Sequence, residues 1–416
     1  MKRDYQASMA RVLAALMGET PDRVPLVYLT SEDVSARITG LTIREMLASP
    51  ELLAEKTILV NDFLGGDGMN LVANPYCGPF EGLAYAKVND VNVADVFVWK
   101  EYTTPFIREG AICKTEKDIE KLQIPDHYTV EPWPTLFKAI AIVQERTGMG
   151  RDQFAPSLTW SSVQMLRGSQ AYLDVRQKPD LLMELCEKIY ASQWNYYEAY
   201  KDIVGQPIVA FQCSYAFNRH MLSFEDAWKF EGQFIARFAK QSGVPLIIHN
   251  CGFKPYHIEL VEQLKNEGVT IAAVNASHPL DIDWWVNFRK KFPQITIMGG
   301  LHVNGEMESG TEQDVTNRVK DFIQKVGGNG RLIITPTCCM PWRVPLSNIR
   351  AVTEAVEKYG DYPIRTNGNR QGLKVVRKCK NTFYKMRQRL ISNWFSRVHD
   401  DYRLRITDFI MKYRRK

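Results

Sequence analysis

His249 and Cys251 stand one residue apart at the end of an apolar run, VPLIIHNCG (244–252). The run is branched and uninterrupted, the pattern of a strand covered on both faces. Alternate side chains of a strand share a face, so positions 249 and 251 point the same way. An imidazole and a thiol on one face can ligate a single ion. Zinc suits them, since it takes thiolate and imidazole in tetrahedral geometry and keeps one position open in catalytic sites. A third donor stands at the end of a second apolar run, RLIITPTCCM (331–340), in Cys338, with Cys339 beside it. The competing reading is structural. Buried cysteines are common, and a strand-end histidine can serve only to bond backbone.

These residues need elements to position them, and the second half of the chain has the required rhythm. Apolar strands are expected at 207–213, 244–251, 269–276, 295–302 and 331–338, with helical patterns between them at 223–242, 255–267, 281–292 and 311–327. Ser223 and Thr311 fall where helix N-caps belong. Strands alternating with helices of this length make βαβ units and a parallel sheet. In the first half, 23–30 and 150–160 read as strands, 181–200 as a long helix, and the stretch before Gly18 as an amphipathic helix. Residues 85–113 alternate as antiparallel hairpins do. LGGDG (64–68) reads as a turn, and Trp284-Trp285 as helix packing. About eight βα units fit before residue 365. The economical fold is a (β/α)8 barrel with an added hairpin region, and an open doubly wound sheet is the alternative. In such a barrel the active site lies at the C-terminal strand ends. Asn275, His278 and His302 fall there too and are candidate substrate contacts or supports for the ligands.

Composition is that of a globular protein, 45% hydrophobic and 24% charged over 416 residues. No apolar run reaches the roughly 18–20 residues of a membrane span, and no secretory signal pattern is present, so a cytoplasmic protein with reduced thiols is expected. The formal charge of +6 hides an asymmetry. From Asn367 onward there are 15 Lys or Arg against 3 Asp, which leaves 38 basic and 44 acidic residues before it. The chain therefore divides into a mildly acidic body, 1–366, and a basic tail, 367–416, with helical spacing. Residues 373–416 could pack on the body, dock an acidic partner, lie on an anionic membrane surface, or bind nucleic acid without sequence preference. No specific nucleic-acid recognition is expected.

HNCG (249–252) followed by TPTCCMPWRVPLSNI (335–349) resembles the uroporphyrinogen-decarboxylase-like superfamily. Within it, the pattern resembles the zinc-dependent methylcobamide:thiol methyltransferases of the coenzyme M type. That branch has an H-x-C pair and a later cysteine in a P-x-C…P-x-x-N-I context, matched by Pro336, Cys338, Pro345, Asn348 and Ile349. The resemblance selects Cys338, not Cys339, as the ligand. TPDRVPL (20–26), TEKDIEKLQIPD (115–126), APSLTW (155–160) and the helix after MLRG agree with it, so that it covers most of residues 10–365. It implies a (β/α)8 barrel, a zinc ion on His249, Cys251 and Cys338, a small thiol as substrate, and a methylcobamide or other corrinoid on a separate partner protein as methyl donor or acceptor. Such a corrinoid protein is one acidic partner that the basic tail could dock. Two departures bear on the site. Thr337 stands where the branch has Gly, and GGLHVNG (299–305) puts His302 where an acid is common.

No D-x-H-x-x-G pattern is present to bind a corrinoid in this chain, and no G-x-G-x-x-G, P-loop or G-x-S-x-G. The N-terminal R-Q-A-G-R motif that true uroporphyrinogen decarboxylases share is missing, which disfavours porphyrinogen decarboxylation. The expected function is therefore zinc-dependent methyl transfer. The alternatives are a uroporphyrinogen-decarboxylase-like lyase and a non-catalytic barrel that binds a tetrapyrrole or corrinoid.

Overall fold

Five parallel strands run side by side in chain order: β3 (Ala210–Cys213), β4 (Leu246–Asn250), β5 (Ile271–Ala276), β6 (Thr296–Leu301) and β7 (Leu332–Pro336). The structure is a computed structural model that describes residues 3–365 apart from 30–31, 72–77, 151–153 and 156–158. The basic tail therefore lies outside the described residues, as does part of the strand expected at 150–160. Two single bridges extend this sheet at its edges. Leu26 bridges Ile334 of β7 in parallel, and Phe154 bridges Ala210 of β3 in parallel. Beside Leu26, the backbone amide of Asp67 donates to its carbonyl, and the side-chain Nδ2 of Asn70 donates to the carbonyl of Tyr28. The fold is an α/β barrel of the (β/α)8 type.

The expected elements of the second half appear with ends trimmed by a few residues. Helices Phe224–Ser242 (interrupted by a π turn at Trp228–Gly232), His257–Asn266, Ile282–Lys291 and Glu312–Val326 connect the strands. Ser223 and Thr311 cap as expected, and Thr311 with Asp314 forms a capping box. Such caps contribute ~1 kcal/mol each. The alternation over 85–113 holds for one short antiparallel hairpin, β1 (Phe97–Val98) with β2 (Phe106–Ile107). Residues 85–88 instead finish the helix Gly78–Val88, and Val93–Val96 form a further helical turn.

The apolar core is split by the barrel wall. Outside it, the strands pack against the connecting helices. Inside, Val27, Val209, Ile247, Ala273, Met298 and Ile333 form a floor that meets Val12, Ala15 and Leu16 of the N-terminal helix Tyr5–Met17. That helix ends at Gly18, in the left-handed conformation a glycine adopts without strain, and Thr296 Oγ1 donates to the carbonyl of Ala15 at 2.6 Å. With its N-terminal end closed, the barrel interior opens at the C-terminal strand ends. The turn expected at 64–68 also carries a buried carboxylate. Asp67 receives Arg11 at 2.6 Å and Arg23 at 2.8 Å, which ties the first helix to the wall.

Candidate metal centre

Strand register fixes which side chains reach the open end. His249 pairs with Cys213 on one side and Asn275 on the other, and Asn275 pairs with Met298. Ile247 and Met298 belong to the interior floor. Alternation therefore turns His249 and Asn275 inward as well.

The motif HNCG uses both faces. Asn250 points away from the interior and donates through Nδ2 to the carbonyl of Ser214 at 2.7 Å. Its Oδ1 accepts from the amide of Gly252 at 2.8 Å and from Asn218 Nδ2 at 3.1 Å. The loop after β3 is thereby pinned to the end of β4. A Cβ on Gly252 would lie 1.7 Å from Asn218 Oδ1, so no larger residue fits there without moving the Asn218 side chain. Cys251 is left at the rim, exposed, while His249 is buried.

Cys338 arrives from the end of β7. The amide of Thr337 donates to the carbonyl of Leu301 at 2.8 Å, and Ser277 Oγ donates to the carbonyl of Thr337 at 3.1 Å. The amide of Met340 reaches the carbonyl of Leu29. Held on both sides, this segment brings Cys338 Sγ to 3.5 Å from Cys251 Sγ, and His249 Nε2 is 2.6 Å from Cys251 Sγ. The three donor atoms lie within 4.8 Å of one another, and the group could hold a metal ion. The thiols of Cys251 and Cys339, and then His249, hold the Cys338 thiol well below its ordinary range despite its burial.

Asn275 sets the histidine. Its Nδ2 donates to the carbonyl of Met298 at 3.0 Å, so its Oδ1 must face His249, whose Nδ1–H donates to it at 2.5 Å. The proton therefore sits on Nδ1 and the Nε2 lone pair faces the sulfurs. Two thiols and an imidazole oriented this way are a donor set that fits zinc, with the outer hydrogen bond that zinc-ligating histidines usually have. Both amide atoms of Asn275 are thus engaged in support of the imidazole.

His278 and His302, which follow β5 and β6, meet with ring centroids 5.5 Å apart. His278 also packs against Phe253, an aromatic ring 76% exposed two residues past Cys251. Burial, and then His302, lowers the His278 pKa. A Cβ on Gly305 would stand 2.8 Å from His302 Nδ1, so the missing side chain makes room for that ring. Cys339 is half-buried. Trp284 and Trp285 pack within their helix, with centroids 4.9 Å apart.

Two residues that the sequence reading passed over support the rim. His257 is buried, donates to the carbonyl of His278 at 2.9 Å, and is pushed down to about 4 by burial. Glu231, in the π turn, is fully buried. Its carboxyl group accepts from the amides of Ala216 at 2.8 Å and Trp160 at 3.2 Å, joining the loop after β3 to the first turn of the helix Thr159–Arg167. Burial pushes its carboxyl up to about 8 against those bonds. A carboxylate on the apolar side of FEDAWKFEGQF was the available signal for it.

A parallel barrel closed at one end, with its polar side chains converging at the C-terminal strand ends, is the class of protein these features define. The chain matches the uroporphyrinogen decarboxylase (URO-D) family over residues 7–359, and it belongs to that family. Among solved structures it is similar to a methyltransferase from Methanosarcina mazei, with 16% identity and a TM-score of 0.67 over 85% of this chain and 98% of that one. A B12-independent methionine synthase from Shewanella sp. W3-18-1, in complex with selenomethionine, is similar over 53% of this chain and 66% of that one, with 12% identity and a TM-score of 0.36. The comparison with curated proteins found no match. Among the described residues, no helix is long and apolar enough to cross a membrane.

Proposed function

We propose that this protein is a zinc-dependent methyltransferase that moves a methyl group between a corrinoid, carried by a separate protein, and a small thiol. The observation that carries the reading is the convergence of His249 Nε2, Cys251 Sγ and Cys338 Sγ at the open end of a barrel of this family. A zinc ion bound there would supply a Lewis acid that keeps a substrate sulfur as thiolate, where a free thiol is only ~3% ionised at pH 7.

That ionisation is worth at most ~30-fold, about 2 kcal/mol, so the chain must contribute more through position. Oriented reactants can gain ~7–11 kcal/mol. Asn275 fixes the imidazole, and the bonds of Asn250, Thr337 and Ser277 fix the segments that bear the two cysteines. His278 packs against both His302 and Phe253 in the segments that follow β5, β6 and β4. No corrinoid-binding histidine motif occurs in the sequence, which supports a separate corrinoid protein as partner.

The test combines metal content per chain with methyl transfer from methylcobalamin to a panel of small thiols, for wild type and Cys338→Ser. The expected result is about one zinc in the wild type, thioether formation with at least one thiol, and loss of both in the variant. A wild type that takes up no zinc under reducing conditions would sink the proposal. A metal-free barrel that still bound a corrinoid or tetrapyrrole would then be the better description.

A further inference from the structure

The two sulfurs of the site belong to residues 87 positions apart, yet they lie 3.5 Å from each other. One is exposed and the other half-buried. A disulfide needs its sulfurs ~2.0 Å apart, so closing this pair takes an approach of about 1.5 Å. Cys251 is at the rim, where a dissolved molecule can reach it first. Cys338 stands behind it, where it can attack a Cys251 sulfur that has been modified. This is the arrangement of an attacking and a resolving thiol. Exposure decides the order.

We infer that Cys251 and Cys338 form a reversible disulfide, and that the oxidised form of the enzyme's own thiol substrate drives it. The identity of that oxidant rests on the proposed function, whereas the bond itself rests on the geometry alone. The exchange balances in two steps. The Cys251 thiolate attacks the symmetrical disulfide RS–SR, forming Cys251–S–S–R and releasing RS⁻, which takes up the proton that Cys251 gave up. Cys338 thiolate then attacks the Cys251 sulfur, the protein disulfide forms, and a second RS⁻ leaves as RSH. Two protein thiols are oxidised and one small disulfide is reduced to two thiols.

The disulfide and the metal exclude each other. Once joined, neither sulfur carries the charge that makes it a zinc donor, and His249 remains as a single ligand. Excess reduced thiol reverses the exchange by attack at the exposed Cys251. The site would therefore be switched on when its thiol substrate is reduced and switched off when that pool is oxidised. Zinc on the two sulfurs protects them, because the thiolates are no longer free to attack.

The experiment uses the full chain, stripped of metal under reducing conditions and then exposed without oxygen to 2-hydroxyethyl disulfide. Intact mass, peptide mapping and zinc uptake against a chromophoric chelator are read before and after dithiothreitol. The expected product is lighter by a pair of hydrogen atoms, has the Cys251 and Cys338 peptides linked, takes up no zinc, and recovers uptake on reduction. Zinc added beforehand should slow the reaction. Cys338→Ser should stop at a mixed disulfide on Cys251, and Cys339→Ser should still give the Cys251–Cys338 link. A link from Cys338 to Cys339, a persistent mixed disulfide in the wild type, or zinc uptake by the linked form would overturn the inference. These readings need no methyl transfer. A protein that forms and reverses the bond but transfers no methyl group would leave the disulfide standing and remove the proposed function.

Discussion

Asn275 offers the sharpest test of how the centre is built. It makes two bonds of different kinds: Oδ1 accepts from His249 Nδ1 at 2.5 Å, and Nδ2 donates to the carbonyl of Met298 at 3.0 Å. Asn275→Leu removes both bonds. Asn275→Asp removes the donor but keeps an acceptor opposite His249. The two variants therefore share the loss of the side-chain bond to Met298, worth about 0.5–1.5 kcal/mol of stability. They differ in whether the imidazole is still held with its proton on Nδ1. Losing such an outer partner weakens metal binding about 10–100-fold, equivalent to about 1.4–2.7 kcal/mol. Zinc affinity measured by competition with a chromophoric chelator should therefore fall by that factor in Asn275→Leu and stay near wild type in Asn275→Asp. Urea denaturation of the metal-free proteins should place both variants below wild type. If the two lose zinc affinity equally, Asn275 acts through general stability and the orienting role assigned to it is wrong.

Gly252→Ala should displace the Asn218 side chain and the bonds it makes, because its Cβ would meet Asn218 Oδ1 at 1.7 Å. The expected cost is about 1–3 kcal/mol in urea denaturation, and Asn218→Ala in the same chain should recover part of it; no recovery would mean that the clash lies elsewhere. Glu231 predicts a pH dependence. Its carboxyl rises from an ordinary 4.5 to about 8 through burial, so the folded protein holds a proton that the unfolded chain gives up. That contribution is complete below pH 4.5 and is lost as pH rises towards 8. Relative to Glu231→Gln, wild type should lose on the order of 3–5 kcal/mol across that interval. Denaturation curves for the two proteins that stay parallel with pH would refute it.

Much of this arrangement was legible from periodicity. The five strands of the second half, their order and their helices follow from apolar runs and caps, because burial on both faces leaves a signal that does not depend on tertiary detail. The pairing of His249 with Cys251 on one face follows from alternation alone. The first half was harder to read for a physical reason. Leu26 and Phe154 meet their neighbours through single bridges, and staves this short carry little pattern. Residues 85–88 fall in the stretch read as alternating, yet they end a helix whose residues 81–86 are all buried. Supports such as Glu231 and His257 gave no periodic signal, since a buried polar residue is defined by the backbone groups that converge on it from elsewhere in the chain.

Cys338 shows where alternation stops being a guide. Ile333 lies on the barrel floor, so the inward positions of β7 are odd, and a straight continuation would turn Cys338 outward. The strand ends at Pro336, however, and Thr337 is bonded on both sides, by its amide to Leu301 and by its carbonyl to Ser277. The chain must turn there, and the turn delivers the sulfur of an even-numbered residue to Cys251. Strand parity applied through position 338 would have rejected the third donor. The resemblance of P-T-C-C to a known ligand pattern selected Cys338 because such patterns include the turn. On β4 the motif itself does this work: Asn250 bonds the neighbouring loop, Gly252 lets that loop come close, and the two residues between the apolar run and the glycine that face inward are His249 and Cys251.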